Sequence, residues 1–150
     1  MTNKTYRIYR LENNLNNDTV FMFYLPEEGV DKKSAIKGKV KRLKELHDLK
    51  KKGYVIVADI LTDKEGYLNA RLNVAVEDYC YLDKRETEVR LYKYKYSDAV
   101  LCKTLECIMD SKQVAMKKIV RLVRRLNGED LCVHNEIALA LYDSYLRAIL

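Results

Sequence analysis

The 150-residue sequence has few of the residues that build nucleotide-binding loops. It contains five glycines, and neither G-x-x-x-x-G-K-[ST] nor G-x-G-x-x-G occurs in it. Both motifs need glycine because the backbone must approach the phosphates closely. We therefore do not expect nucleotide hydrolysis. The absence of tryptophan, together with one proline, 18 lysines and 12 tyrosines, favours an AT-rich genome, such as that of a low-GC bacterium, a phage or another mobile element.

Long apolar segments are also missing. No stretch approaches the roughly 18–20 uncharged apolar residues that a membrane-spanning helix needs. The first residues lack the apolar segment of a secretory signal. The composition, 48% hydrophobic and 33% charged, is ordinary for a globular protein. We therefore expect a cytoplasmic protein with no membrane partner.

Metal-binding patterns are incomplete. The cysteines form no C-x-x-C pair, so we expect free thiols, mostly buried, at Cys80, Cys102, Cys107 and Cys132. His134 and Glu136 match half of the zinc-deaminase signature, but no cysteine follows them. We predict neither a metal site nor another cofactor.

The sequence does contain strongly segregated charge. Residues 32–52 have a net charge of +8, and residues 112–125 contain six basic residues and no acidic one. Because the whole chain has a formal net charge of +6, the remaining residues sum to −8. A focused positive field attracts polyanions more strongly than evenly mixed charge does, so these two segments are candidate interfaces.

The hydrophobic patterns predict an α+β protein, a single layered domain in which an antiparallel sheet of about five strands and three helices follow the order ββαβββαα. The predicted strands span residues 6–11, 19–25, 55–61, 67–76 and 87–96. The predicted helices span about 31–52, where Gly53 is the stop, 98–126 and about 131–149. In the first helix, a 3–4 spacing predicts a buried seam of Ile36, Val40, Leu43, Leu46 and His47.

The helix over 98–126 is the first candidate interface. Its apolar residues form one stripe, interrupted by Lys112, and the stripe consists of Leu101, Leu105, Ile108, Ala115, Ile119, Leu122, Val123 and Leu126. The opposite side presents Lys103, Lys117, Lys118, Arg121, Arg124 and Arg125. Cations at this spacing can contact phosphates along a nucleic-acid backbone. The alternative is a solubilising surface on a core helix. The lack of interleaved acidic residues between 117 and 125 favours function.

The first basic helix is the second candidate interface. Lys37, Lys41, Lys44 and Lys51 lie on one flank of its apolar seam, with Asp48 among them. Lysine is a mobile point charge, so this flank suits unspecific attraction to nucleic acid or to an acidic surface of a partner protein. A solvated, lysine-rich helix is the alternative.

The segment VRLYKYKY is the third candidate. On a strand, Arg90, Tyr92 and Tyr94 would share one face, and exposed tyrosines on a sheet can stack on single-stranded bases. The alternative is that this face packs beneath a helix.

Catalytic patterns are weak, and we predict no catalytic residue. His47 lies on the predicted apolar seam, and Cys132 and His134 would point in different directions on one helix. Asp59, Glu77 and Glu88 could converge across neighbouring strands, as a metal-dependent nuclease would require, but no Glu-x-Lys triplet accompanies them.

These observations support one main hypothesis and two alternatives. The main hypothesis is a non-enzymatic protein that engages nucleic acid or a nucleoprotein complex through its basic helices. One version is a phage antagonist of nucleic-acid-guided host defence, of the anti-CRISPR kind. The first alternative is a protein-interaction module or homodimeric adaptor that binds an acidic partner surface, with dimerisation through the apolar stripe of residues 98–126. The second is a metal-dependent nuclease that uses Asp59 and Glu88.

Overall fold

The computed structural model describes residues 4–26 and 32–150. Within these residues it is a mixed α+β protein with a three-stranded antiparallel sheet, four α-helices and one short 3₁₀ helix. The order is ββαβααα, so the predicted ββαβββαα order, with five strands and three helices, is wrong. The chain divides into two compact units, residues 1–67 and 68–150. The organisation as one layered domain stays a prediction.

The first unit contains the sheet. Its strands are β1 (Tyr6–Asn13), β2 (Asp18–Tyr24) and β3 (Tyr54–Thr62), arranged in the order β2-β1-β3. Asn17 turns the chain between β1 and β2 with a φ of 57°, and the Asn16 side chain accepts a 2.9 Å hydrogen bond from the Asp18 amide. These three predicted strands are therefore confirmed, each within two residues at either end.

The first helix, α1 (Lys32–Lys51), ends where the sequence predicts. Gly53 adopts a φ of 97°, which favours glycine, and its amide donates to the Lys50 carbonyl at 3.1 Å. The buried Asn13 side chain donates to the Lys52 carbonyl at 3.0 Å. The turn that follows α1 is thereby tied to the end of β1.

The core of the first unit lies between the sheet and α1. Leu11, Met22 and Tyr54 form its buried centre, and Leu46 and Leu49 of α1 pack against them. Burial of each such aliphatic or aromatic side chain contributes about 1.5–3 kcal/mol to folding. The C-terminal half of α1 therefore anchors the helix to the sheet.

The predicted seam of α1 is not buried. Ile36, Val40 and Leu43 are 62%, 60% and 58% exposed, and His47 is also exposed. Of the predicted seam, only Leu46 packs against the core.

The reason for this error is the contact that α1 makes with the sheet. The Arg42 guanidinium lies 5.2 Å from the Tyr24 ring centroid, so a cation covers the sheet where the apolar spacing predicted aliphatic side chains. The face that includes Arg42 and Leu49 lies about 120° around the helix from the predicted seam.

The second unit is helical. It contains most of α2 (Lys64–Leu91), then the 3₁₀ helix Lys93–Lys95, α3 (Asp98–Gly128) and α4 (Glu136–Ile149). The predicted strands over 67–76 and 87–96 are therefore wrong, because the first lies within α2 and the second covers the end of α2 and the 3₁₀ helix.

The strand prediction over 67–76 failed because one apolar pattern fits two periods. On a strand, Leu68, Ala70, Leu72, Val74 and Val76 would share one face. Leu68, Leu72 and Val76 are also spaced i, i+4, i+8, as on one face of a helix, and all three are buried on α2. The sequence does contain a signal for the start of α2, because aspartate is a preferred helix-capping residue. In the structure, the Asp63 side chain accepts a 2.9 Å hydrogen bond from the Gly66 amide.

The apolar stripe of α3 is confirmed. Ser97 caps the helix, accepting from the Val100 amide at 3.4 Å. Six of the eight residues predicted for the stripe are buried, namely Ile108, Ala115, Ile119, Leu122, Val123 and Leu126.

The segment between α3 and α4 is held by an asparagine of α2. The buried Asn69 side chain donates to the Cys132 carbonyl at 2.8 Å and accepts from the His134 amide at 2.9 Å. Asn135 then caps α4, accepting from the Ala138 amide at 3.0 Å. Because Asn69 holds this segment outside helical geometry, α4 begins at residue 136 rather than at the predicted 131.

We predict that Asn69→Ala lowers the free energy of unfolding by about 1–3 kcal/mol, because two partly buried hydrogen bonds are lost, each worth about 0.5–1.5 kcal/mol. Urea denaturation measures this loss. Asn73→Ala is the matched control, since Asn73 accepts one bond, from the Asn135 side chain at 2.9 Å, at an exposed site. Equal losses in the two variants would contradict the prediction.

Candidate nucleic-acid interface

The basic side of α3 faces solvent, opposite the buried stripe. All six predicted cations are exposed: Lys103, Lys117, Lys118, Arg121, Arg124 and Arg125. Five of them occupy residues 117–125, and we call these five the α3 cationic surface. Lys103 lies about 21 Å further along the helix axis, given a rise of 1.5 Å per residue. The structure therefore groups five of the six.

Few acidic groups neutralise the α3 cationic surface. Arg125 lies 3.7 Å from Glu129, which stands just beyond the acid-free segment. The Arg124 Nε donates to the Tyr142 hydroxyl of α4 at 3.4 Å, and this bond raises the pKa of the guanidinium. Among residues 4–26 and 32–150, no carboxylate lies within 4 Å of the cationic atoms of Lys117, Lys118 or Arg121.

Lys112, which interrupts the apolar stripe, has a structural role instead. Its ammonium donates to Asp83 at 2.7 Å and to Glu86 at 2.8 Å, both on α2, and its side chain is only 16% exposed. Burial alone would lower the pKa of Lys112, but the hydrogen bonds to the two carboxylates outweigh burial and raise it. Lys112 therefore stays charged and joins α3 to α2.

Arg90 does not share a face with the tyrosines as predicted. It lies in the last turn of α2, where its guanidinium is 3.2 Å from Glu86, the residue four positions earlier. Arg90 therefore supports the same ion-pair network as Lys112. The predicted basic and aromatic strand face does not exist.

Tyr92 and Tyr94 of VRLYKYKY are nonetheless exposed, so the alternative that these two rings pack beneath a helix is also wrong. Tyr92 and Tyr94 are 43% and 75% exposed, and their ring centroids are 6.3 Å apart in an edge-to-face arrangement. The Lys95 ammonium lies 4.9 Å from the Tyr92 centroid. These rings stand just before the N-terminal end of α3, which is about five helical turns from the α3 cationic surface.

The lysines of α1 are exposed as well. Lys37, Lys41, Lys44 and Lys51 face solvent, and none makes an ion pair with a carboxylate of a described residue. Lys39, which was not among the predicted residues, is exposed on the other flank of the same apolar residues. The 3–4 spacing of Ile36, Val40 and Leu43, extended to its flanking positions, would have identified it.

The carboxylates of the nuclease alternative do not lie on neighbouring strands. Asp59 is on β3 and lies 3.2 Å from the Arg7 guanidinium, whereas Glu77 and Glu88 are on α2, about 16 Å apart along its axis. Within the described part of the chain, no three His, Cys, Asp or Glu side chains are grouped as metal ligands would be.

The cysteines are exposed rather than buried, which corrects the sequence prediction for Cys80, Cys102, Cys107 and Cys132. Small thiols are usually buried when they lie on an apolar helix face. Here Cys102 and Cys107 lie on α3 away from its buried stripe, which explains their exposure.

Comparison with known proteins gives no family. A scan against protein-family models, a search of curated proteins and a search of solved structures each find no match to the chain. Among the residues described, no helix is both long enough and apolar enough to span a membrane. The cytoplasmic location stays a prediction.

We predict that Lys112→Met lowers the free energy of unfolding at pH 7 by about 1–3 kcal/mol, because a charge-assisted network is lost. The loss should shrink at low pH. The hydrogen bond from Lys112 lowers the pKa of Glu86 in the folded state, so the stabilisation is complete above the unfolded carboxyl pKa, about 4.3, and disappears as pH falls through the lower folded value.

Chemical denaturation of the wild type and the variant at pH 7 and pH 3 measures this difference. Lys118→Met is the control, because Lys118 is exposed and has no ion pair with any residue in 4–26 or 32–150. We expect its effect to be below about 0.5 kcal/mol at both pH values. A loss in Lys112→Met that is the same at both pH values would show that Glu86 does not contribute.

Proposed function

We propose that this protein is a non-enzymatic binding protein that engages nucleic acid or a nucleoprotein complex, with the α3 cationic surface against the phosphate backbone. The observation that supports it is the arrangement of five exposed cations over about 12 Å of one helix. The opposite side of that helix is buried, so the cations are presented by a rigid element.

The residue types suit phosphate contacts. Three of the five are arginines, whose planar guanidinium can donate two hydrogen bonds to one phosphate, and the two lysines add point charges. Contacts to phosphates position a protein on nucleic acid but do not specify sequence. We therefore expect binding with little sequence preference.

The lysines of α1 add to long-range attraction in this proposal. The segment that contains them, residues 32–52, has a net charge of +8 and would speed association with any polyanion at low salt. The version in which the protein antagonises a nucleic-acid-guided defence, of the anti-CRISPR kind, is supported by the same surface and by the lysine-rich composition. Homodimerisation stays a prediction, but the α3 stripe from Ile108 to Leu126 is buried within the chain and is therefore not an open surface for it.

The first test is the salt dependence of binding. If all five cations of the α3 cationic surface contact phosphates, the logarithm of the association constant should fall with the logarithm of salt concentration with a slope of about −4 to −5 on duplex DNA. Fluorescence anisotropy with labelled duplex and single-stranded oligonucleotides measures it. Absence of binding at low salt would contradict the proposal.

The second test locates the surface. We expect the triple variant Arg121→Gln, Arg124→Gln, Arg125→Gln to reduce the magnitude of that slope by about 2–3, since each lost phosphate contact removes about 0.9. The matched control is Lys84→Gln, Arg85→Gln, Arg147→Gln, which removes three exposed cations from the same unit and leaves the same net charge. Equal losses in the two variants would mean that net charge, not α3, determines binding.

A further inference from the structure

The exposed apolar residues of α1 form a narrow line along the helix. Ile36, Val40 and Leu43 are separated by four and three residues, and His47 continues the line. Each of the three aliphatic side chains is more than half exposed. Folding of the chain gains nothing from leaving this much aliphatic surface in water, so this line is a candidate docking surface.

The spacing is that of a coiled-coil seam. With Ile36 and Leu43 at d positions, Val40 and His47 fall at a positions of the heptad. The e positions that flank this seam are then Lys37, Lys44 and Lys51, and the g positions on the other side include Lys32 and Lys39. All five of these lysines are exposed. The third g position is Leu46, which packs against the core of the first unit. The apolar seam therefore has lysines along its whole e side and beside its N-terminal half on the g side.

The lysine border decides which occupant fits. A second copy of α1 would place lysine against lysine at the e and g positions in either orientation, and such pairs repel. A phosphate backbone could approach the lysines, but it would leave the aliphatic line uncovered.

A lipid surface fits the seam poorly as well. Helices that lie in the membrane interface have a wide apolar face with large apolar or aromatic residues. A line restricted to a and d positions is instead the narrow seam of a helix pair. An amphipathic helix with acidic flanks satisfies both the apolar and the charged positions of α1.

We propose that the exposed seam of α1 binds an acidic amphipathic helix of a partner protein, which packs aliphatic a and d residues on Ile36, Val40 and Leu43 and places Glu or Asp opposite the e and g lysines. This inference concerns α1 and does not depend on nucleic-acid binding by α3.

The probe is a synthetic three-heptad peptide with Ile at a, Leu at d and Glu at e and g, and its counterpart with Lys at e and g. We expect saturable binding of the acidic peptide to the wild-type protein by fluorescence anisotropy and none of the basic peptide. The variant Val40→Ser, Leu43→Ser should weaken binding at least tenfold, because two seam contacts are lost. Both residues are exposed, so thermal unfolding should be unchanged.

Charge reversal separates docking from general attraction. We expect Lys37→Glu, Lys44→Glu to lose the acidic peptide and to gain the basic one. The matched control is Lys41→Glu, Lys52→Glu, which makes the same charge change at exposed positions outside the seam and should keep at least a third of the wild-type affinity.

Three results would overturn the proposal. One is equal loss of acidic-peptide binding in the two charge-reversal variants, which would indicate non-specific attraction. Another is no saturable binding of the acidic peptide by the wild type. The third is a different occupant for the seam. It would be shown if Val40→Ser, Leu43→Ser removed binding to phosphatidylserine vesicles, or self-association measured by sedimentation, and left peptide binding unchanged.

Discussion

Burial of one face of α3 is the constraint on which the second unit depends. The residues from Ile108 to Leu126 that make up this face are largely aliphatic. Burial of such a stripe fixes the rotation of the helix about its axis, and therefore the direction in which its other side chains point. Arg121, Arg124 and Arg125 must therefore point to solvent. The cationic surface is a direct consequence of how α3 is packed.

The same constraint explains the position of Lys112. A cation within a buried stripe is costly unless carboxylates reach it, and Asp83 and Glu86 on α2 do so. Arg90 adds a further cation to Glu86. The network places α2 and α3 side by side at one register, because an ammonium at this position can satisfy both carboxylates only there.

The sequence was sufficient for elements with a single consistent pattern and insufficient where two patterns overlap. The hairpin, α1, β3 and α3 each had unambiguous spacing and clear stop signals, and their bounds are correct within about two residues. The apolar residues of segment 67–76 fit both the two-residue period of a strand and the four-residue spacing of a helix face. The segment lies within the 28-residue helix α2, so the helical spacing is the one that the structure adopts. The tyrosine-rich segment after Leu91 has a strong β propensity, but the unit that contains it, residues 68–150, includes no strand with which it could pair.

The two basic helices also differ in how well the sequence predicts which of their sides is exposed. The exposed cations of α3 could be predicted, because a wide apolar stripe defines its opposite side. The exposed side of α1 could not, since its contact with the sheet depends on Arg42 stacking on Tyr24, a cation–aromatic contact that apolar periodicity does not register.

The composition of α1 is difficult to explain by folding alone. Ile36 and Val40 are β-branched residues, which favour a helix less than lysine or alanine does, and most of the surface of each is exposed here. Stability of the isolated chain would be served better by polar residues or alanine at both positions. The aliphatic line therefore opposes both helix propensity and solubility. The aliphatic residues and the neighbouring lysines follow one heptad spacing. Both sets are explained if they are complementary to a second, acidic helix. On that view the two basic regions have different physical roles: α3 presents a rigid array of charge, and α1 presents a seam whose charge selects its partner.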